Sequence, residues 1–373
     1  MWKLDRTGQP VQLSATVQVS PAGPHADVAP ADSLACPASD PARLSVRELS
    51  PFSLPPDWEA FSARCGCTHA YVPNMIVARA IIGRVKGRMR CFEIFADQRG
   101  DQKKVAQAAI VTKFGRHTFL ERLAIAPEFA NFWLDCMGLL LRRLGAGDYA
   151  YGAKVSDEPD RSGEIVGLAG VGIKDCEPFF IQSVYFKNWD SWESYYRGVS
   201  TNAKRNHKRA ARTIDQLNIV TRRGPASIVD FWFLFQCYRN VAVTKNLRLP
   251  LSGFVLGFFL RAAILGDRHF VSVVRSGSTR LSAISGVEFG SKLSYIHGGR
   301  GDDDQRGAAW YLMIESLREF LRRHPDGVYL FGTSDVAARD QARSDGLLRS
   351  RMACQATDVR TSIFTFRFDP PSR

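Results

Sequence analysis

The chain runs twice through one order of elements, and this repetition restricts its fold more than any other feature. In the second pass HFVSVVRSG (269–277) and RLSAISGVEFG (280–290) are divided by a short Gly/Ser turn, and SKLSYIHGG (291–299) follows after another, which is the pattern of an antiparallel meander. A helix over 307–323 comes next, stopped by His324-Pro325-Asp326-Gly327, and then the strand VYLFGTS (328–334). In the first pass RCFEIFAD (90–97), VAQAAIVTKF (105–114) and FLERLAIAP (119–127) read as strands. FANFWLDCMGLLLRRLG (129–145) follows with apolar residues at helical spacing and a glycine stop. The two passes predict an α/β protein of two tandem lobes, each a central mixed, mainly antiparallel sheet flanked by helices.

Residues 1–56 are rich in Pro, Ala and Ser and nearly free of aromatic side chains. That composition does not offset its ordering entropy, so a disordered leader is expected there. The lobes are expected at 57–187 and 216–373, joined by an aromatic and basic connecting helix at 188–215. The beginning lacks the apolar stretch of a secretory signal, and the runs VDFWFLFQC and FVLGFFLRAAIL fall short of the ~20 residues of a membrane span. With cysteines scattered along a 373-residue chain, reduced thiols and a cytoplasmic location are the expectation. Cys65-Gly-Cys67 with His69 has no second pair at ligand spacing, so no metal is expected. The formal charge of +13 favours an anionic partner without choosing among nucleic acid, phosphorylated cofactor and lipid.

The connecting segment NWDSWESYYRGVSTNAKRNHKRAARTID (188–215) sharpens that charge. At 100° per residue Lys204, Arg205, Lys208, Arg209 and Arg212 fall on an arc of about 140°, with Ala203, His207, Ala210 and Ile214 opposite. Ser200 or Thr201 is a fitting N-cap. No acid interrupts the run before Asp215, so the face repels itself until an anion meets it. Trp189, Trp192, Tyr195 and Tyr196 sit one turn apart just ahead, spaced for core packing first and for a substrate platform second.

HGGRGDDDQRGAAW (297–310) admits three readings. Consecutive aspartates at 302–304 do not alternate as a calcium loop requires, and the helix start has no Gly-Lys-Ser/Thr for a triphosphate. Acids ahead of a helix complement its positive end, but that role leaves Gly298, Gly299, Gly301 and Gly307 without a purpose. A strand ending in Gly298-Gly299, a loop containing Arg300, and Gly307-Ala308-Ala309 opening a helix let backbone N–H groups approach a diphosphate. The aspartates oppose that anion unless they point away or hold an amine.

Together, the Trp-x-x-Tyr motif (Trp192, Tyr195) leading into the basic helix, the strand LSYIHGG with its small-residue helix start, and the helix followed by VYLFGTS resemble the GNAT acyltransferase superfamily. The resemblance is to the tandem-lobe branch that includes the Fem-type aminoacyl transferases and cellulose-biosynthesis-type acetyltransferase-domain proteins, and it covers residues 57–373. It implies an acyl-CoA or aminoacyl-tRNA donor held across splayed strands, an amine acceptor and no metal. Gly307, Ala308 and Ala309 match the end of the family's pyrophosphate loop, while Asp304 stands where Gln or Arg is usual. APEFANFWLDCMGLLLRRL has no glycine-rich helix start, so donor binding is expected in the second lobe alone.

Acyl transfer to an amine needs a proton acceptor and a stabilised oxyanion. Glu288, His297 and Asp335 are the candidate catalytic groups, a histidine titrating in the right range without tuning. Trp192, Tyr195, Lys204, Arg205, Lys208, Arg209 and Tyr295 are candidates for binding substrate. A serine or cysteine hydrolase is not expected, since there is no G-x-S-x-G elbow and no Cys in a sequence context typical of a nucleophile. The expectation is an N-acyltransferase using acyl-CoA and a small amine or amino sugar. An aminoacyl-tRNA-dependent transferase with tRNA on the basic helix is the alternative, and a non-catalytic RNA- or partner-binding protein the third reading.

Overall fold

The computed structural model describes residues 43–82, 87–98, 101–244, 251–302, 307–335 and 346–371. Its strands are β1 Arg43–Leu49, β2 Arg88–Gln98, β3 Asp101–Lys113, β4 Arg116–Phe119, β5 Ala124–Ile125, β6 Gly147–Tyr151, β7 Val171–Tyr185, β8 Leu217–Arg223, β9 His269–Ser276, β10 Thr279–Phe289, β11 Lys292–Arg300, β12 Val328–Asp335 and β13 Thr357–Phe368. The helices are α1 Trp58–Arg64, α2 Pro73–Ile82, α3 Trp133–Leu144, α4 Ser162–Ile165, α5 Trp192–Gly198, α6 Thr201–Thr213, α7 Phe231–Thr244, α8 Leu251–Ile264, α9 Ala308–Arg323 and α10 Gly346–Ala353.

All thirteen strands join one sheet in the order β1-β2-β3-β4-β6-β13-β7-β12-β11-β10-β9-β8, with β5 beside β3. Read inward from either edge, the pattern is the same. Antiparallel neighbours lead to one parallel pair, β4 with β6 or β11 with β12. Each parallel step needs a crossover, supplied by α3 in the first half and α9 in the second. At the centre β7 and β13 run antiparallel from Val171↔Phe368 to Ser183↔Thr357. There the halves trade strands. β7 pairs with β12 of the second half, and β13, the last strand of the chain, pairs with β6 of the first.

Alternation along the strands sends side chains into separate cores. On β9, Phe270 and Val274 meet the core of α5, α6 and α9, while Val271 and Val273 meet α7 and α8. Ala283 and Val287, four residues apart on β10, contribute to the α7–α8 core and to the α1–α2 core respectively, so those four helices cover one face. α3 fills the first half through Trp133, Met137, Leu140 and Leu141.

Two expectations need correction. Arg43–Leu49 falls within the stretch read as leader, yet it pairs along its whole length with β2, and Leu44 and Val46 pack into the first core. The run 119–127 is also not one strand. The chain leaves the ladder at Glu121, whose buried carboxylate accepts the Thr68 backbone N–H at 2.9 Å and its hydroxyl at 2.7 Å.

Candidate active site

β11 and β12 pair only from Lys292–Ser294 to Val328–Leu330. Beyond that point β11 follows β10 and β12 follows β7, leaving a cavity of about 340 Å³ lined by Val241, Tyr295, Gly298, Gly299, Trp310 and Arg351, with Ala309 and Phe331 beside them. That volume suits the reacting end of a ligand rather than a whole cofactor. A bulge sits at the parting. Ser285 of β10 faces His297 and Gly286 faces Tyr295, so Ile296 is an extra residue. One added residue reverses the alternation, and the two predicted residues part company. Tyr295 turns into the cavity, where burial pushes its phenol up to about 12 against the pull of Arg351. His297 turns to the α7–α8 side between the rings of Tyr238 and Phe254, each centred 4.6 Å away. Burial, helped by Arg261, lowers its pKa to about 3, so it is a neutral packed ring at physiological pH.

The glycines serve close approach. A Cβ at Gly299 would collide with the Cys237 carbonyl of α7, and one at Gly298 with the Tyr295 hydroxyl. Gly307 caps α9 in the left-handed region (φ +89°), and a Cβ there would stand 3.0 Å from the Asn206 carbonyl of α6. The first turn of α9 carries no acid, so the positive end of the helix is uncompensated from within. Ala308 is buried in the core. Arg300 is exposed; its carbonyl accepts from Asn240 Nδ2 at 3.2 Å, and the same amide donates to Asp302 at 2.8 Å. Asp303 and Asp304 lie outside the described residues.

One wall of the cavity carries no signal in the sequence. Arg351 of α10 donates to Gln182 Oε1 at 2.6 Å and to the Thr333 carbonyl at 3.2 Å. Gln182, fully buried on β7, donates in turn to Ser334 and to Asp358, both at 2.8 Å. These residues come from four different elements, with Gln182 about 150 residues or more from the rest, and no local motif marks them.

Other predicted residues lie elsewhere. Glu288 pairs with Leu293, where β11 and β12 are still bonded, and Arg323 grips it at 2.5 and 2.7 Å with Arg223 at 3.2 Å. Burial pushes its carboxyl up, and the two arginines outweigh that to leave it below the usual range. The backbone of Asp335 pairs with Phe179 at the end of β12. Tyr195 is fully buried, and its hydroxyl donates to the Cys354 carbonyl at 2.6 Å. Trp192 stacks on Tyr196 at 5.4 Å with the Arg318 guanidinium over it.

On α6, Ser200 caps the helix by accepting the Ala203 N–H at 3.2 Å. Ala203 and Ala210 are buried, and His207 bridges the Tyr196 hydroxyl (3.1 Å) and Glu315 (2.9 Å) while stacking on Tyr311. Arg205, Lys208, Arg209 and Arg212 face solvent, and Lys204 folds back to the Arg197 carbonyl at 3.0 Å. Asn206 of this helix is what touches Gly307 at the start of α9.

The equivalent place in the first half is closed. Past the β4–β6 pairing, Gly152 N–H donates to the Glu121 carbonyl at 3.1 Å and Leu123 N–H to the Tyr151 hydroxyl at 3.0 Å. A buried charge cluster fills the surroundings: Asp157 meets Arg122 at 3.2 Å, the Tyr185 hydroxyl at 3.3 Å and the ammonium of Lys292, which comes from the first residue of β11. Burial raises the Asp157 carboxyl, but Lys292 and Arg122 outweigh it and hold the group below its usual range. Glu158, bonded to the Tyr151 hydroxyl at 2.9 Å, is instead pushed up by burial to about 7.

Where the halves meet on the α8 side, Arg261 presents two buried guanidinium nitrogens without a partner, as do His69 Nδ1 and His269 Nε2. Burial lowers Arg261 to about 10, and burial followed by the charge of Arg261 lowers both histidines to about 4. Cys65 and Cys67 are thiols, since burial raises both, and among the described residues no three His, Cys, Asp or Glu are placed to hold a metal ion.

No family model and no curated protein matches this sequence. Among solved structures, FemX superposes with a TM-score of 0.60 at 10% identity, covering 86% of this chain and 96% of its own. A tandem GNAT protein from the clavulanic acid biosynthesis pathway covers 89% and 100% at 10% identity with a TM-score of 0.41. The C-terminal domain of a putative lysylphosphatidylglycerol synthetase from Agrobacterium fabrum covers 71% and 82% at 11% identity with a TM-score of 0.44. Two halves of matching strand order, each with one helix-crossed parallel pair, and the likeness to FemX together give this chain a two-lobe fold of the kind FemX has.

Proposed function

We propose that the chain is an N-acyltransferase that moves an acyl group from acyl-CoA to the amine of a small molecule or amino sugar. The observation that carries this reading is the open parting of β11 and β12, with its apolar cavity, its bulge, and the start of α9 on its border. The acyl group would occupy the cavity against Trp310 and Phe331, with donor phosphates toward Gly307 and the α6 cations. Strand amides at the Ile296 bulge are the candidate oxyanion donors, because a bulge leaves its extra residue out of the ladder. Tyr295, whose hydroxyl stands beside Gly298 in the cavity lining, is the candidate to hand a proton to the departing thiolate. Of the three catalytic candidates, Asp335 at the end of β12 is retained as the base; Glu288 and His297 are assigned structural roles by their arginine and aromatic partners. On the other side of β11 the unpartnered Arg261 nitrogens favour an acceptor that carries a carboxylate or phosphate.

The second reading, an aminoacyl-tRNA donor, draws on one observation. α6, which touches the α9 start at Asn206, carries four exposed cations, more than a single diphosphate needs. A melting-temperature screen separates the two. Acetyl-CoA and longer acyl-CoA species should stabilise the chain, by about 2.7 kcal/mol at a hundredfold excess over Kd. Stabilisation by total tRNA alone, removed by ribonuclease, would transfer the assignment to the second reading.

A further inference from the structure

The turn between β3 and β4 carries a residue that its backbone does not favour. The two strands end on the Lys113↔Arg116 pair, so Phe114-Gly115 is the whole loop, and both residues are left-handed (φ +47° and +71°). Hairpin turns of this kind favour Asn-Gly, because a bulky side chain is strained at positive φ. The β9–β10 and β10–β11 turns follow that rule by placing Gly277 and Gly290 in the left-handed position. Phe114 departs from it without any gain in burial: its side chain is 96% exposed, with the Lys113 ammonium 5.5 Å from the ring centre. Strain kept without packing points to a use of the ring outside the fold.

The surroundings of Phe114 show both apolar and cationic groups to solvent. A hollow of about 780 Å³ lies between the turn and the end of β1, and its lining includes Phe52, Phe114, Arg88 and Lys113. Phe52 is exposed, as are Ile81 and Ile82, which follow Ala80 of the same lining at the end of α2. Arg88, Lys113 and Arg116 are exposed too. The acids placed here have cations of their own. Glu48 at the hollow is held by Arg90 at 2.7 and 2.8 Å and by Arg143 at 3.6 Å, and Asp148, opposite Arg116 in the ladder, by Lys174 at 2.6 Å. A second copy of this chain would set like charges against each other. Nucleic acid would stack on the phenylalanines but finds no ring on Ile81 or Ile82. An anionic lipid surface matches every group, taking the apolar side chains at its acyl boundary and the cations among its headgroups.

We infer that the Phe114 turn, with Phe52 and the end of α2, seats the protein on an anionic lipid bilayer. It would rest there without crossing, since no described helix is long and apolar enough to do so. The inference stands apart from the acyltransferase reading. The full chain should co-sediment with vesicles of phosphatidylcholine and phosphatidylglycerol far better than with phosphatidylcholine alone. Phe114→Ser combined with Phe52→Ser should weaken that binding at least tenfold, with far-ultraviolet circular dichroism unchanged. Lys113→Glu with Arg116→Glu should remove the preference for the anionic vesicles. Phe114→Asn, which installs the residue the turn favours, should weaken binding while the melting temperature holds or rises. A fall in melting temperature with Phe114→Asn would show that the ring serves the fold, and would overturn the inference. Arg205→Glu with Arg209→Glu, in the second half, should leave vesicle binding intact; loss there with retention in the Phe114 variants would show adsorption by general charge and overturn it as well. So would a lack of vesicle binding by the full chain, whether accompanied by Phe114-dependent retention of poly(U) on a filter or by a Phe114-dependent dimer in light scattering.

Discussion

The two parallel strand pairs occupy equivalent positions in the sheet, yet one is open and the other closed. Between β11 and β12 lies a cavity bordered by Tyr295, Gly298, Ala309 and Trp310. Past β4 and β6 the strands stay bridged by Gly152 and Leu123, and the charges of Glu121, Arg122, Asp157 and Lys292 are buried around them. A repeated scaffold thus supplies two equivalent positions, and the contacts around each decide which one stays open. Lys292 gives the closed one a further role. It leaves the open strand pair at its bonded end and is anchored in the other half by Asp157 and the Gly66 carbonyl (2.5 Å), so the ion cluster ties the cleft-bearing strand to the first half.

Removing that tie should produce the largest effect. Asp157→Ala leaves Lys292 and Arg122 short of their shared acid, and breaking a buried pair in this way costs about 3–5 kcal/mol, readable by urea unfolding. The variant should gain no second ligand site, because the backbone bridges of the first half remain. Filling the open cleft comes next: Ala309→Trp should cancel the stabilisation by acyl-CoA, about 2.7 kcal/mol at a hundredfold excess over Kd, while the ligand-free melting temperature shifts little. If the Ala309→Trp chain still responds to acyl-CoA, the donor lies elsewhere.

Glu158 sharpens the contrast through pH. Its folded pKa of about 7 lies above the ordinary value of 4.5, so the folded state holds a proton that the unfolded state has released between those values. Its contribution is complete below about 4.5 and is lost as the pH rises toward about 7, with a slope of at most about 1.4 kcal/mol per pH unit. Glu158→Gln should flatten that part of the stability profile in denaturant titrations at stepped pH. Asp157 has the opposite sign: its lowered pKa gives stability that is present above about 3.8 and lost as the pH falls through the folded value. The smallest effect on stability belongs to α6. Arg205→Glu with Arg209→Glu should barely move the melting temperature, since both side chains are exposed, and should abolish any salt-sensitive tRNA binding measured by filter retention.

The parts of this arrangement that depend on neighbours in sequence are legible in the sequence itself. The β9–β10–β11 meander, α9 with its Pro-Gly stop, and the Ser200 cap of α6 follow from turns and periodicity, and one local motif marks Tyr295, Gly298, Gly299 and Ala309 around the cavity. What stays hidden depends on distant chain. β1 reads as leader because its short alternation follows a Pro/Ala-rich stretch and gains its reason only from β2. The meeting of β7 with β13 joins segments far apart in sequence, and the Arg351–Gln182 wall does the same across 169 residues. His297 shows a subtler limit. Periodicity puts it on the correct strand, but the single-residue bulge at Ile296 turns it from the cavity to the α7–α8 core, as any one-residue slip in a strand must. Gly298 and Gly299 suggest backbone access to an anion, whereas the contacts around them are with a phenol and a helix carbonyl.

The claim that only the second cleft takes the donor is tested most directly by calorimetric titration of the full chain with acetyl-CoA. One molecule per chain should bind, with binding lost in Ala309→Trp and kept in Asp157→Ala. Two molecules per chain, or undiminished binding in Ala309→Trp, would contradict it.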